Sequence, residues 1–389
     1  MDPQVSQRIK KLQEMAPDAQ PGNERQHLDL LRSARALVSQ LEKPHEKVMR
    51  MIYHEPALFM ATKVLADLGI FKILAVATAP VTASQLAQNT NADAHLLERL
   101  LKHVTTENYI DEVGPDTYRA NDVTRCCATP GAKGAIDDIY QVLPVVAAMP
   151  EYLREAKYAN PINKDKTCWQ FAHKTDQHFF EYVNTPGREA KLEALRNHMD
   201  FKTVGQRWFE EPSLMEAAFR DAISEKDNVL LIDVGGNGGH DLIAFQEAKS
   251  TSSYHNKLIG QEKKSFQQGI EPMGHDFFTA QPVKGAKAYY LKMCLHDWPD
   301  AQCKEILACL RPAMTAGYSR IILDEIIIPD QDAGWFETSV DLLMMEVHSA
   351  QERREKEWTA LVDGVPGRRI KRIWDREGAV NEVIEIEAV

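Results

Sequence analysis

Apolar residues recur at helical spacing over residues 26–41 (Leu28, Leu31, Ala34, Leu37, Leu41), and Pro44 is expected to end that helix because proline cannot continue one. The polar residues 1–25 before it read as a mobile arm. A helix standing apart at a terminus packs either on its own chain or on a partner chain, and both readings stand at this level. A second periodic segment covers residues 49–74 (Leu58, Val64, Leu65, Leu68, Ile70), punctuated by Gly69. Short helices over 82–88 and 93–105 follow, then an alternating run over 109–113 and a Gly114-Pro115-Asp116 turn before Tyr118. Two helices and a two-stranded ribbon predict a winged helix-turn-helix within residues 26–130.

Residues 131–225 read as helices rich in large side chains, among them Trp169, Phe179, Phe180, Trp208 and Phe209. Such a stripe is core by default, and its position just before a sheet lets part of it wall a pocket for a flat apolar molecule. From residue 226 to 389 the period changes. Short apolar runs at 229–232, 257–259, 288–295 and 319–325 read as strands, a third strand is expected to end at 274–278, and helices follow at 240–249 and 301–310. This alternation predicts a doubly wound, Rossmann-like α/β sheet whose strands end at Asp233, Glu262, Asp276, His296 and Glu325.

A chain of 389 residues accommodates two or three domains. Its formal net charge of −11 argues against nucleic acid as a partner, because a binder needs a basic footprint. The winged helix is therefore read as a scaffold or dimer interface. Six cysteines without a CxxC or Cys/His pattern read as reduced thiols, and no metal ligand set is expected. The N-terminus lacks an apolar signal core and no run is long enough to cross a bilayer, so a cytoplasmic protein is expected.

The chemistry concentrates at two strand ends. Asp233-Val234-Gly235-Gly236-Asn237-Gly238-Gly239 places glycines where a helix begins at His240. Such a turn serves either to pack a helix on a strand or to bind a nucleotide. An acid before the glycines would repel a pyrophosphate but accept hydrogen bonds from an ammonium group, which favours S-adenosylmethionine (SAM) over a dinucleotide. Further on, His296 ends an apolar strand, Glu325 ends the next, and Glu352 follows a long helical stretch. A carboxylate on one ring nitrogen fixes the imidazole tautomer and leaves the other nitrogen to take a proton. A phenol, with a pKa of about 10, needs that help before its oxygen can attack a methyl sulfonium.

These segments, with Leu295-His296-Asp297-Trp298-Pro299-Asp300, Asp324-Glu325-Ile326-Ile327-Ile328-Pro329 and Glu352-Arg353, resemble the signature motifs of the SAM-dependent O-methyltransferases of plant caffeate type, in their fungal secondary-metabolism branch. The resemblance runs over residues 45–360 and implies a dimerising winged-helix domain, hence a homodimer, ahead of a class I methyltransferase domain. It further implies Gly235 and Gly236 at the methionine end of SAM, Glu262 at the ribose, Asp276 and Phe277 at the adenine, Lys292 close by, and His296 as general base oriented by Glu325 and Glu352. Three features depart from the family pattern: the short segment after Glu262, Arg354 beside Glu352-Arg353, and the tail Gly364-Val365-Pro366-Gly367-Arg368-Arg369 in place of a small, apolar turn; Arg353, Arg354, Arg368, Arg369, Lys371 and Arg372 form a charge run that reads as a solvated face. Two functions follow as expectations. One is methyl transfer to a phenol or enol hydroxyl of a small aromatic or polyketide-like metabolite. The other is a pericyclase on the same fold that cyclises or dehydrates a polyketide or pyridone intermediate without transferring methyl.

Overall fold

The computed structural model describes residues 3–18, 24–202, 207–222, 228–249, 257–260, 270–374, 376 and 379–388. They form two compact units, one of residues 1–140 and 193–202, the other of residues 141–192 and 203–389. The stretch read as one helical segment, 131–225, is thus divided between them. None of the helices among the described residues is long and apolar enough to cross a membrane.

In the first unit the polar N-terminal stretch includes a helix, Pro3–Met15, where an arm was expected. Helix Glu24–Leu41 ends before Pro44, and Pro44 opens the next helix, Pro44–Met49, because at a first-turn position its missing N–H has no partner to lose. Gly69, at φ 71, takes the left-handed turn that divides Glu55–Asp67 from Ile70–Val76. Thr82 and Asp93 then cap helices Ala83–Thr90 and Ala94–Thr105 through their side-chain oxygens. Strands β1 (Val81–Thr82), β2 (Asp111–Gly114) and β3 (Thr117–Arg119) pair antiparallel in the order β1-β3-β2. Leu65, Phe71, Leu86, Leu97, Leu101 and Tyr118 close a core between helices and ribbon, which is the winged-helix arrangement the pattern predicted. Gly134 has no room for a side chain, since a Cβ there would sit 2.3 Å from that of Asn197. This close approach packs residues 193–202 onto the first unit.

The second unit is built on strands β4 (Val229–Asp233), β5 (Lys257–Gly260), β6 (Ile270–Pro272), β7 (Ala288–Lys292), β8 (Arg320–Ile326), β9 (Arg368–Trp374) and β10 (Asn381–Ala388), in the order β6-β5-β4-β7-β8-β10-β9. The five from β4 to β8 are parallel, and β10 runs antiparallel to both β8 and β9. Side chains alternate between two cores, as the strand period requires. Tyr289, Leu291, Ile321 and Leu323 pack with Leu307 and Trp358 on one face, while Leu231, Tyr290 and Ile322 pack with Trp208, Phe219 and Phe245 on the other. The sheet is covered on both sides, so β8 is buried along its whole length.

The basic stretch from Arg368 to Arg372 is a solvated face in large part, with Arg369, Lys371 and Arg372 exposed. It lies in β9 opposite the acidic alternation of β10, pairing Arg369 with Glu387 at 2.6 Å and Lys371 with Glu385 at 2.9 Å, while Arg368 is buried.

Candidate active site

Beyond β7 the chain turns sharply. Met293 takes the left-handed conformation at φ 46, and Leu295–Asp297 form a single 3-10 turn that carries His296 inward, 3% exposed. Glu325, at the end of the neighbouring β8, receives the backbone N–H groups of Cys294 (3.1 Å) and Leu295 (2.8 Å) on one carboxylate oxygen. Arg353, fully buried, ties down the other side of the turn. It donates to Asp300 at 2.8 and 3.0 Å and to the carbonyls of Leu295 and Trp298.

With its turn pinned in this way, His296 places Nδ1 2.6 Å from Oε1 of Glu352, a short charge-assisted contact away from water. Glu352 is itself held by its backbone N–H, which donates to Asp341 at 2.9 Å. The expectation that two carboxylates orient the ring is therefore corrected: Glu352 binds the imidazole and Glu325 fixes the turn, although atoms of all three residues lie within 4.8 Å of one another. Burial works against a charged imidazole here, but Glu352 and then Asp297 outweigh it and raise His296 to about 9. Burial likewise raises Glu325, to about 7, against the pull of the His296 charge.

Asp233 ends β4 in the opposite condition. It is 5% exposed, its Oδ2 has no hydrogen-bond partner, and burial, reinforced by the charge of Asp241 against that of Lys292, raises it to about 8. The glycine turn folds directly over this carboxylate, and a Cβ on Gly236 would lie 2.0 Å from Asp233 Oδ2. Gly235, at φ 81, leaves room that a Cβ would take from Cys294 (3.2 Å) and Phe277 (3.8 Å). A cradle too tight for any side chain, ending on a buried acid with one oxygen that lacks a donor, fits the ammonium end of an amino-acid cofactor.

The remaining expected residues divide. Phe277 is beside Gly235, whereas Asp276 is exposed and receives the Phe278 N–H in its own turn at 3.0 Å. Lys292 donates to Asp241 at 2.9 Å, and Asp241 also holds Arg207 at 3.0 Å. Glu262 and the short segment after it lie outside the described residues. Arg354 does not join Glu352. It pairs with Glu357 at 2.6 Å at the start of helix Glu355–Asp363.

A model of the O-methyltransferase domain matches residues 226–366, and a model of the O-methyltransferase dimerisation domain matches residues 52–130. Methyltransferase cfoC of Aspergillus candidus is 30% identical, with all of each chain covered. The chain belongs to the O-methyltransferase family.

Two solved structures share this methyltransferase's fold closely. One is described as a pericyclic reaction enzyme (TM-score 0.87, 26% identity, 99% of each chain), the other as LepI in complex with SAM (TM-score 0.87, 27% identity, 99% of each chain). SAM is the cofactor of this class. Sequence reasoning missed two residues that the methyltransferase brings beside its HDWPD turn, His178 and His348. Their rings join Phe179 and the partly exposed Phe180 and Trp298 in one cluster, with His178 stacked on Trp298 at 5.2 Å and 11° and His348 on Phe180 at 5.0 Å. The sequence signal for His178 was the aromatic stripe it lies within; His348 had none.

Proposed function

We propose that the enzyme methylates a phenol or enol hydroxyl of a small aromatic or polyketide-like metabolite, with His296 as general base. The observation that carries this reading is the buried 2.6 Å pair between His296 Nδ1 and Glu352, which commits one ring nitrogen to a carboxylate and keeps Nε2 for a hydroxyl proton. Bound SAM supplies an electrophilic methyl group on a sulfonium. Asp233, Gly235 and Gly236 would hold its methionine end, Phe277 with Asp276 its adenine, Glu262 its ribose, and Lys292 would keep Asp241 in place nearby. His296 takes the hydroxyl proton at Nε2, Glu352 stabilises the resulting imidazolium, and Glu325 keeps the turn from shifting as the charge forms. Incubation with labelled SAM and a panel of phenols tests this: His296→Ala should lose transfer, and undiminished transfer would refute the role.

A second reading draws on the likeness to a pericyclic reaction enzyme and on the raised His296. An imidazole held protonated at neutral pH donates a hydrogen bond to a substrate carbonyl and lowers its electron demand, with SAM bound but not consumed. Conversion of a reactive polyene to a product of unchanged mass would favour it, and a mass gain of one methyl would exclude it.

Residues 26–130 are proposed as the dimerisation domain, 131–225 as a source of pocket wall and 226–389 as the SAM domain. The dimerisation match and the exposed apolar side chains of Met49, Met51, Ile52 and Tyr53 support a homodimer, checked by light scattering of the purified chain; a cytoplasmic location is checked by fractionation.

A further inference from the structure

The two members of the buried dyad hang from opposite ends of one side chain. Arg353 follows Glu352 directly in the chain, and its backbone is fixed to the continuation of β8, where it bridges Ile327 in parallel and its carbonyl accepts the Ile328 N–H at 3.1 Å. Its guanidinium reaches the other way, to the turn that carries His296. Nη1 donates to the Leu295 carbonyl at 3.3 Å and Nη2 to the Trp298 carbonyl at 3.0 Å, one on each side of His296 in the chain. Nε and Nη2 both donate to Oδ1 of Asp300, at 3.0 and 2.8 Å. The thiol of Cys303, raised by burial to about 12, is a second donor 3.1 Å from each of the same two carbonyls. The Trp358 ring lies 5.0 Å from the guanidinium carbon.

We propose that Arg353 is a positioning residue of the methyl transfer, setting the spacing of His296 Nδ1 and Glu352 Oε1 by holding together the two backbones that carry them. The inference rests on the reading of His296 as the base. Glu325 anchors the turn to β8 alone, whereas Arg353 ties it to the backbone next to the carboxylate, so a change at Arg353 acts on the distance between base and counter-charge. Lysine would keep the charge but lose the planar fork, and one ammonium cannot reach both carbonyls and Asp300 as the guanidinium does. The charged and titratable groups around the dyad among the described residues are Asp297 and Cys294 on the turn, Asp300 and Cys303 after it, Glu325 on β8, and Asp341 and His348 on helix Trp335–His348. Variants that conserve charge leave all of these charges in being, so a shift in His296 reports the spacing.

The test uses the full chain and two charge-conserving variants, Arg353→Lys and Asp300→Glu, the second altering only the half-exposed end of the contact. The His296 ring titration and its Nδ1–H resonance are read by NMR, assigned by their loss in His296→Ala, and the pH profile of kcat/KM is read with SAM and the best-accepted phenol of the panel. In Arg353→Lys the Nδ1–H resonance should move upfield as the pair lengthens, and the ring titration and the acid limb should both fall by about half a unit to one unit. The plateau of kcat/KM should drop about tenfold, and that loss should nearly vanish below the limb. SAM affinity by calorimetry should be unchanged. Asp300→Glu should move each reading the same way by less, and it decides the question if Arg353→Lys does not fold. A folded variant with an unmoved ring titration and Nδ1–H resonance, or a loss of kcat/KM equal at every pH, would overturn the proposal. The two NMR readings need no turnover, so failure of the base assignment, seen as transfer retained in His296→Ala, is read separately.

Discussion

Two strand ends in the same sheet treat a buried charge in opposite ways. At the end of β4, Asp233 is withdrawn from water with one oxygen unpartnered, and burial keeps its carboxyl protonated up to about pH 8. At the end of β7, His296 is equally withdrawn but receives Glu352 on one nitrogen and Asp297 within 3.5 Å of the other, and holds its proton to about pH 9. The first corner is completed only by a ligand that brings a cation; the second is completed by the chain itself. A site of the first kind gains stability when loaded, whereas one of the second kind is organised before substrate arrives.

The contrast breaks most sharply at the imidazole. His296→Ala should lower kcat/KM by about 10²–10⁴-fold, the range of a positioned general base, while SAM still binds by calorimetry. Glu352→Gln should cost about 10²-fold in the same assay and about 3 kcal/mol in denaturant unfolding, because it leaves a buried imidazole without its counter-charge. This stability loss depends on pH. The folded protein raises His296 above its free value of about 6.5, so the pair's contribution is full below that pH and is lost as pH rises through about 9. Wild type and variant should therefore converge in stability near pH 10. Activity runs the other way, since the neutral base grows with pH, and kcat/KM should climb up to about pH 9.

Asp233→Asn should weaken SAM by about tenfold yet raise the melting temperature of the ligand-free protein, relieving a buried-group penalty of about 1–3 kcal/mol. The folded pKa is raised from 3.8 to about 8, so that penalty is absent in acid and full above pH 8. In the smallest expected effect, SAM binding to wild type releases a proton near pH 7. Calorimetry in buffers of different ionisation enthalpy would detect it, and affinity should rise with pH to about 8.

Much of this was legible in the chain. The four apolar residues before Asp233 and the run before His296 each call for a strand buried on both faces, and the glycines after Asp233 call for a turn over a carboxylate. The winged-helix ribbon followed from two short helical stretches, a run of period two and the Gly114-Pro115-Asp116 turn. The two antiparallel strands at the C-terminus were not read, because lysine, arginine and glutamate alternating with isoleucine look solvated until the strands face each other and pair their charges.

Local order, meaning strand, glycine bend and helix start, was determined by neighbouring residues through dihedral preference and hydrophobic period. The division of labour between the two glutamates was decided only by tertiary structure. Glu352 lies 56 residues beyond His296, and His178 and His348 are separated by 170, so their meeting depends on strand order and helix docking. Which nitrogen meets which carboxylate is a matter of tenths of an ångström, and periodicity carries no information at that scale.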